Sequence, residues 1–176
     1  MAELYLIDKR GYVVPQSGSL PNPDGVAVAK QALEYLVDKG PVSEIMPNGF
    51  RAVLPADTQV DLNITDEGVA TVDFSPEFAS YNPEDELKIL QAITWTLTQF
   101  DAIKTVKMKM NGYDLTEMPV NQTPISKQLS RAGGINVDTS DSLDISETKP
   151  LTVYYLGGEE DNYYYVPVTK RIDGSE

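Results

Sequence analysis

The sequence predicts an α+β protein: two helices packed on one face of a small, mainly antiparallel sheet, with an additional C-terminal hairpin. Three observations lead there. Apolar residues recur at helical spacing in two stretches, alternate with polar ones in several short stretches, and the opening pattern of the chain returns near its end. With 176 residues the chain holds one ordinary domain, or one domain and a fragment, and enough length to bury a core.

The opening residues Leu4-Tyr5-Leu6-Ile7 are strand formers, Asp8 to Gly11 a turn, and Tyr12-Val13-Val14 a returning strand that Pro15 marks as an edge or an end. The polar residues from Gln16 to Gly25, with Pro21 and Pro23, read as a loop. From Val26 the period becomes helical. Val26, Ala29, Leu33, Leu36 and Val37 make one stripe, with Asp24 available as a cap and Gly40-Pro41 as the stop. Val60, Leu62 and Ile64, the turn Asp66-Glu67-Gly68, then Ala70, Val72 and Phe74 form a hairpin with one wet face.

The second helix has the clearer signals. Asn82 suits its cap, Pro83 its first position, and Glu84-Asp85-Glu86 place negative charge at the positive end of the dipole. Ile89, Leu90, Ile93, Leu97 and Phe100 share a stripe, and Trp95 projects to the opposite side. Val106, Met108 and Met110 alternate with Lys107 and Lys109 before the hairpin signal Asn111-Gly112, and Tyr113 to Thr116 return beside them. The first unit is complete near Pro119. Thr123-Pro124 would start a short helix bringing Ile125 and Leu129 together, with Gly133-Gly134 as its stop, and Asp138 to Lys149 has the composition of a linker.

Val153-Tyr154-Tyr155-Leu156 and Tyr164-Tyr165-Val166-Pro167 then repeat Leu4-Tyr5-Leu6-Ile7 and Tyr12-Val13-Val14-Pro15, with a turn three residues longer. The expected division is 3–119 as one unit, 120–149 as a linker, and 150–176 as the start of a second copy. A lone hairpin is marginal in water, so residues 151 to 170 should lean on the first unit or on another chain.

Composition limits the chemistry. The chain has no cysteine and no histidine, which removes thiolate nucleophiles, zinc-thiolate sites and the usual base near neutral pH. No cofactor or metal is expected. A formal charge of −13 without a basic run would repel nucleic acid and bare anionic membrane. No stretch approaches the roughly 20 apolar residues of a membrane span, and the first residues lack a signal peptide's apolar region.

Several residues carry two readings. Asp57, Asp61, Asp66, Glu67 and Asp73 could hold calcium or act as acid and base, but their spacing fits no EF-hand loop and a solvated strand face accounts for them. Glu84, Asp85 and Glu86 could bind a cation, but the dipole at a helix start is enough to account for them. Four of the ten tyrosines fall between Tyr155 and Tyr165, as a sugar- or partner-binding surface or as ordinary strand formers. Trp95 is either a contact hot spot or is packed beneath the linker or terminal hairpin, and the packing reading carries more weight because a helix can be covered from both sides. The contact candidates are Trp95, Tyr12 and Val13 of the first strand pair, and Tyr163, Tyr164 and Tyr165.

The helix stop Gly40-Pro41, Leu54-Pro55 before a hairpin, Thr94-Trp95-Thr96-Leu97-Thr98-Gln99-Phe100 and Val106-Lys107-Met108-Lys109-Met110-Asn111-Gly112 together resemble the GerMN domain family. The resemblance covers residues 3 to 119, and the start of a second copy from about 150. It implies a fold like the ring-building motifs of secretion systems and a tandem-repeat lipoprotein of endospore-forming bacteria. Such a protein lies between mother-cell and forespore membranes and supports assembly of the channel joining the two cells. The implied partners are sporulation channel and envelope proteins and the remainder of the second repeat, with the membrane reached only through a lipid anchor that this chain lacks. No catalytic residue is carried over, so the expectation is a scaffold and not an enzyme. The rival reading is a peptidoglycan-acting or carbohydrate-binding protein of the spore envelope, which the abundant carboxylates leave open.

Overall fold

The computed structural model describes residues 2–18, 20, 25–40, 49–125, 128–136, 148–158 and 163–173. Strands β1 (Ala2–Ile7) and β2 (Val13–Gly18) pair antiparallel, and Ile7 also bridges to Arg51 on the other edge of β1. Helix α1 (Gly25–Glu34) follows. A four-stranded sheet in sequential order contains β3 (Val60–Ile64), β4 (Val69–Phe74), β5 (Thr105–Met110) and β6 (Tyr113–Asp114). Its pairs are antiparallel except β4–β5, which is parallel because helix α2 (Glu86–Thr98) carries the chain across between them. The hairpin of β7 (Thr148–Gly157) and β8 (Tyr164–Asp173) closes the chain. The fold is α+β, with two helices and mostly antiparallel sheets.

One core joins these elements apart from the terminal hairpin, whose Val166 and Val168 pack with Val14 in a separate small cluster. α1 and α2 touch each other, α1 meets β1 and β3, and α2 meets β1, β2 and β5. Alternate residues Val60, Ala70, Val72, Phe74, Val106 and Met108 bury one face of the sheet against Ile89, Ile93 and Leu97 of α2. α2 is buried on nearly all sides, with Leu87 its exposed apolar residue.

The structure departs from the sequence expectation at four places. α1 ends at Glu34, before Leu36 and Val37, because the Leu36 carbonyl accepts the N–H groups of Val53 and Leu54 at 3.1 and 2.9 Å and Val37 bridges to Leu54. Tertiary pairing captures the chain before Gly40 is reached. β2 runs three residues beyond Pro15, to the pair Ala2↔Gly18. The first turn of the second helix, Pro83–Asp85, is a 3-10 turn, capped by the Asn82 side chain accepting from Glu84 N–H at 3.1 Å. In place of a helix after Thr123-Pro124, Pro124 bridges to Glu117 and Leu129 to Val106, and Arg131–Gly133 is a 3-10 turn. Asp24, Pro21, Pro23, Pro41 and residues 138–147, all invoked above, lie outside the described residues, as do residues 126 and 127 of the expected short helix and the side chain of Val26.

Candidate functional site

The chain concentrates its polar geometry where the terminal hairpin meets the first unit. A strap of residues 131–136 crosses α2 and reaches both. Ser130 caps its turn by accepting from Ala132 N–H at 3.3 Å, and Gly134 ends it at φ 84°, where a side chain would strike Thr169 at 2.9 Å. Ile135 is fully buried in the main core. Its N–H donates to Thr169 Oγ1 at 3.0 Å and its carbonyl accepts from Thr169 N–H at 2.9 Å.

Asn136 is the junction. Its φ of 46° is the left-handed conformation that asparagine tolerates better than most residues. From there Oδ1 accepts from Val13 N–H, and Nδ2 donates to the carbonyls of Val13 and Pro167, all at 2.7 Å. Its own N–H donates to Gln91 Oε1 of α2 at 2.8 Å. One residue thus joins β2 and β8 through its side chain and the helix through its backbone N–H.

A second contact lies beside it. Asp8 is buried in the β1–β2 turn, where Oδ1 accepts the N–H groups of Arg10 and Tyr12 at 2.9 Å each. Its Oδ2 accepts from the Tyr164 hydroxyl at 2.9 Å. Burial first, and then the Asp8 carboxylate, push the Tyr164 phenol up to about 12. The Tyr164 ring meets Phe50 edge-on at 5.0 Å, and Val14, Val166 and Val168 form a small apolar cluster around it. Val14 and Val166 occupy corresponding positions in the two copies of the hairpin, so the copies meet through like strands. The hairpin leans on the first unit.

The contact candidates divide on burial. Trp95 is covered within the chain: its Nε1–H donates to the Gly134 carbonyl at 3.2 Å, its ring lies edge-on to Tyr5 at 6.0 Å, and the Arg131 guanidinium stacks 4.4 Å above it. Arg131 is held there by Thr98 Oγ1 and the Trp95 carbonyl, at 2.8 and 2.9 Å. Val13 is fully buried and bonded to Asn136. Neither is at the surface, so neither offers a contact to a partner on this chain. Tyr164 is half-buried and committed to Asp8. Tyr12, Tyr163 and Tyr165 are exposed.

Two carboxylates ascribed above to the helix dipole alone do more than that. Glu86 is buried and accepts from the Tyr81 hydroxyl at 2.6 Å and from Asn121 and Thr123 N–H at 2.7 and 3.0 Å. Burial alone would raise its pKa, but donors from Thr123, Tyr81 and Asn121 outweigh that and hold it at about 2. Asp85 takes a two-pronged contact from Arg51 at 2.6 and 2.7 Å, which lowers its pKa against the effect of burial. Both stay ionised, whereas a general acid needs a raised value. On the wet hairpin, Asp73 accepts from Gly112 N–H at 3.1 Å and Asp61 from its neighbour Leu62 N–H at 3.1 Å. Among the described residues no group of three or more acidic side chains converges as a metal site.

Asn136 was not among the sequence candidates, and Glu86 was read only as a charge at the helix start. Asn136 follows Gly133-Gly134, whose glycines signal an irregular turn but not what the next side chain reaches.

An α+β unit followed by a second copy of its own first hairpin, pinned by an asparagine and a buried carboxylate, defines a repeat-built module. Residues 3–116 match the family model described as Germane, sporulation and spore germination. The chain belongs to that family. It is 62% identical over all 176 residues to the spore germination protein GerM of Bacillus subtilis (strain 168), of which it covers 48%. It is similar, with a TM-score of 0.92 and 62% identity, to the solved tandem GerMN domains of the sporulation protein GerM from Bacillus subtilis, covering 100% of this chain and 62% of that one. The solved first GerMN domain of the same protein matches 74% of this chain and 97% of its own length, at a TM-score of 0.70 and 63% identity. The chain therefore spans about half the length of the curated relative it matches.

Proposed function

We propose that the chain is a non-catalytic scaffold module of a sporulation envelope complex, supporting assembly of the mother cell–forespore channel. On this reading it works outside the cytoplasm, between the two membranes, in a protein held there by a lipid anchor. Its partners are channel and envelope proteins and the remainder of the second repeat. The observation that carries the reading is the clamp of Asn136 and Tyr164, which fixes the second hairpin against the first unit in one orientation. Similarity to a sporulation protein along the whole chain supports it.

Buried ionisable groups favour a scaffold over glycan hydrolysis. Glu86 and Asp85 are both shifted toward the ionised form, Glu86 against its burial by donors from Thr123, Tyr81 and Asn121, and Asp85 by Arg51. The test is photo-crosslinking in sporulating cells, with the reactive side chain placed at Tyr12 or Tyr163, both exposed. The expected result is capture of one or a few envelope proteins, lost when the hairpin is released by Asn136→Gly. Capture of none, together with release of reducing ends from purified peptidoglycan by the protein, would overturn the proposal in favour of a glycan-acting protein.

A further inference from the structure

The outermost strand of a sheet carries a row of unpaired N–H and C=O groups, and this chain fills one such row and leaves another open. On the outer edge of β1, Glu3 N–H donates to Gln99 Oε1 at 2.8 Å, Tyr5 N–H to Thr96 Oγ1 at 3.3 Å, and Ile7 N–H to the Arg51 carbonyl at 3.1 Å. The four-stranded sheet ends on one side in β6, a strand of two residues. Its other edge is β3.

There the row is open. The Gln59 carbonyl accepts from Ser75 N–H at 3.0 Å, and Thr65 N–H donates to the Val69 carbonyl at 2.9 Å. Residues 59, 61, 63 and 65 therefore face β4, and the N–H and C=O groups of Val60, Leu62 and Ile64 point away from the sheet. Among the described residues no strand pairs with them. Leu62 N–H donates to the side chain of its own neighbour, Asp61, at 3.1 Å. The strand carries neither Lys nor Pro, the residues that most often blunt an edge.

The two faces beside this edge differ. Leu62 and Ile64 are partly buried against the core. A groove of about 370 Å³ continues their line, between Val60 on one side and Lys30, Glu34 and Val37 on the other. On the wet face Asp61 is exposed, with exposed Asp57 before the strand and exposed Asp66 and Glu67 in the turn after it.

We propose that the outer edge of β3 takes up, by strand addition, an extended segment of a partner protein in which basic and apolar residues alternate. The backbone of that segment pairs with Val60, Leu62 and Ile64. Its basic side chains stand on the wet face beside Asp61. Its apolar side chains point the other way, extend the cover of Leu62 and Ile64, and enter the groove beside Val37. The Asp61 carboxylate gives up Leu62 N–H to the incoming carbonyl and turns to the incoming cation. Charge selects this occupant over a second copy of the chain, which would bring the same acids and a net charge of −13 against their like. The proposal rests on the scaffold reading, for which it names a contact edge and the chemistry of the partner.

The test uses the folded chain and three synthetic peptides as long as β3. One alternates Lys and Val, one alternates Glu and Val, and the third is the Lys–Val peptide N-methylated at every residue, which blocks backbone pairing. Amide exchange is read residue by residue by NMR. The Lys–Val peptide in large excess should slow exchange of Val60 and Ile64 N–H roughly tenfold or more, the protection that a stable hydrogen bond gives. The effect should fall as salt is raised. The other two peptides should slow neither. Asp61→Lys changes an exposed side chain, should leave the melting temperature unchanged, and should transfer the protection from the Lys–Val to the Glu–Val peptide. No protection by the Lys–Val peptide overturns the proposal, and so does equal protection by its N-methylated form. Equal protection by the Glu–Val peptide overturns the basic character of the occupant. Protection in the chain alone that disappears on dilution places a second copy on the edge and overturns the partner. All of these readouts come from purified protein, so a negative result is distinct from failed crosslinking in cells.

Discussion

The Tyr164 hydroxyl donates to the Asp8 carboxylate at 2.9 Å across a separation of 156 residues. A turn at one end of the chain is thereby tied to a strand near the other. Tyr164→Phe keeps the ring against Phe50 and removes only the hydroxyl. The expected cost is about 1 kcal/mol, since Asp8 keeps its two backbone donors. Urea unfolding at neutral pH measures it.

The same bond makes the contact sensitive to alkali. An unfolded tyrosine titrates near 10.0 and Tyr164 in place near 12. Its contribution is therefore complete below pH 10 and lost as pH rises through 12. Hydrogen exchange in β8, corrected for its intrinsic rise with pH, should lose protection over that interval in the native protein and not in Tyr164→Phe. An identical profile in the two would remove Tyr164 as the cause.

Asn136→Gly keeps the left-handed backbone and deletes the three side-chain hydrogen bonds to Val13 and Pro167. The expected loss is about 2–3 kcal/mol, concentrated in the hairpin. Hydrogen exchange should rise in β8 and change little in β4 and β5. Uniform loss across both regions would show that the hairpin and the first unit unfold as one.

Much of this arrangement was legible in the residues. Strict alternation from Val60 to Phe74 and from Val106 to Met110 gave β3 to β5, because each strand has a wet face that leaves a period to read, and α2 was legible from the apolar stripe Ile89 to Leu97 and the start signals Asn82 and Pro83 although it is covered on nearly all sides. The repeat of Tyr-Val-Val-Pro as Tyr-Tyr-Val-Pro marked the second hairpin. What periodicity cannot carry is long-range pairing. Leu36 ends its helix for a bond to Val53 and Leu54, and Asn136 acts through partners 123 and 31 residues away. Trp95 lay off the stripe because α2 has cover on both sides, not because that side is bare. The candidate contacts Val13 and Trp95 were apolar residues in plausible places, and only burial separates them from Tyr12 and Tyr163.

Glu86→Gln tests the buried carboxylate. The amide retains one acceptor oxygen and turns donors toward the N–H groups of Asn121 or Thr123, which cannot accept. The expected cost is about 1–3 kcal/mol at pH 7. An ordinary glutamate titrates near 4.5 and Glu86 near 2, so its stabilisation is full above pH 4.5 and fades as pH falls through 2. The native protein should weaken over that range more steeply than the variant, as read by urea midpoints at stepped pH.

Trp95 is the one tryptophan in the chain, so its fluorescence reports directly on the strap that covers it. Buried beneath Arg131 and bonded to Gly134, it should emit at shorter wavelength than a solvated indole and resist quenching by iodide. Trp95→Phe preserves an edge-on ring for Tyr5 and leaves the buried Gly134 carbonyl without its donor, at about 1–3 kcal/mol. Trp95→Ala also opens a cavity between α2, β1 and the strap, and about 3–5 kcal/mol is the usual loss for a buried tryptophan. Arg131→Ala separates packing from exposure. It removes the stacked guanidinium and its bonds to Thr98 and the Trp95 carbonyl, and should make the emission shift red with quenching increased while the core beneath stays folded. If Trp95 in the native chain were already quenched as readily as free tryptophan, the strap would not be closed in solution and Trp95 would return to the list of partner contacts.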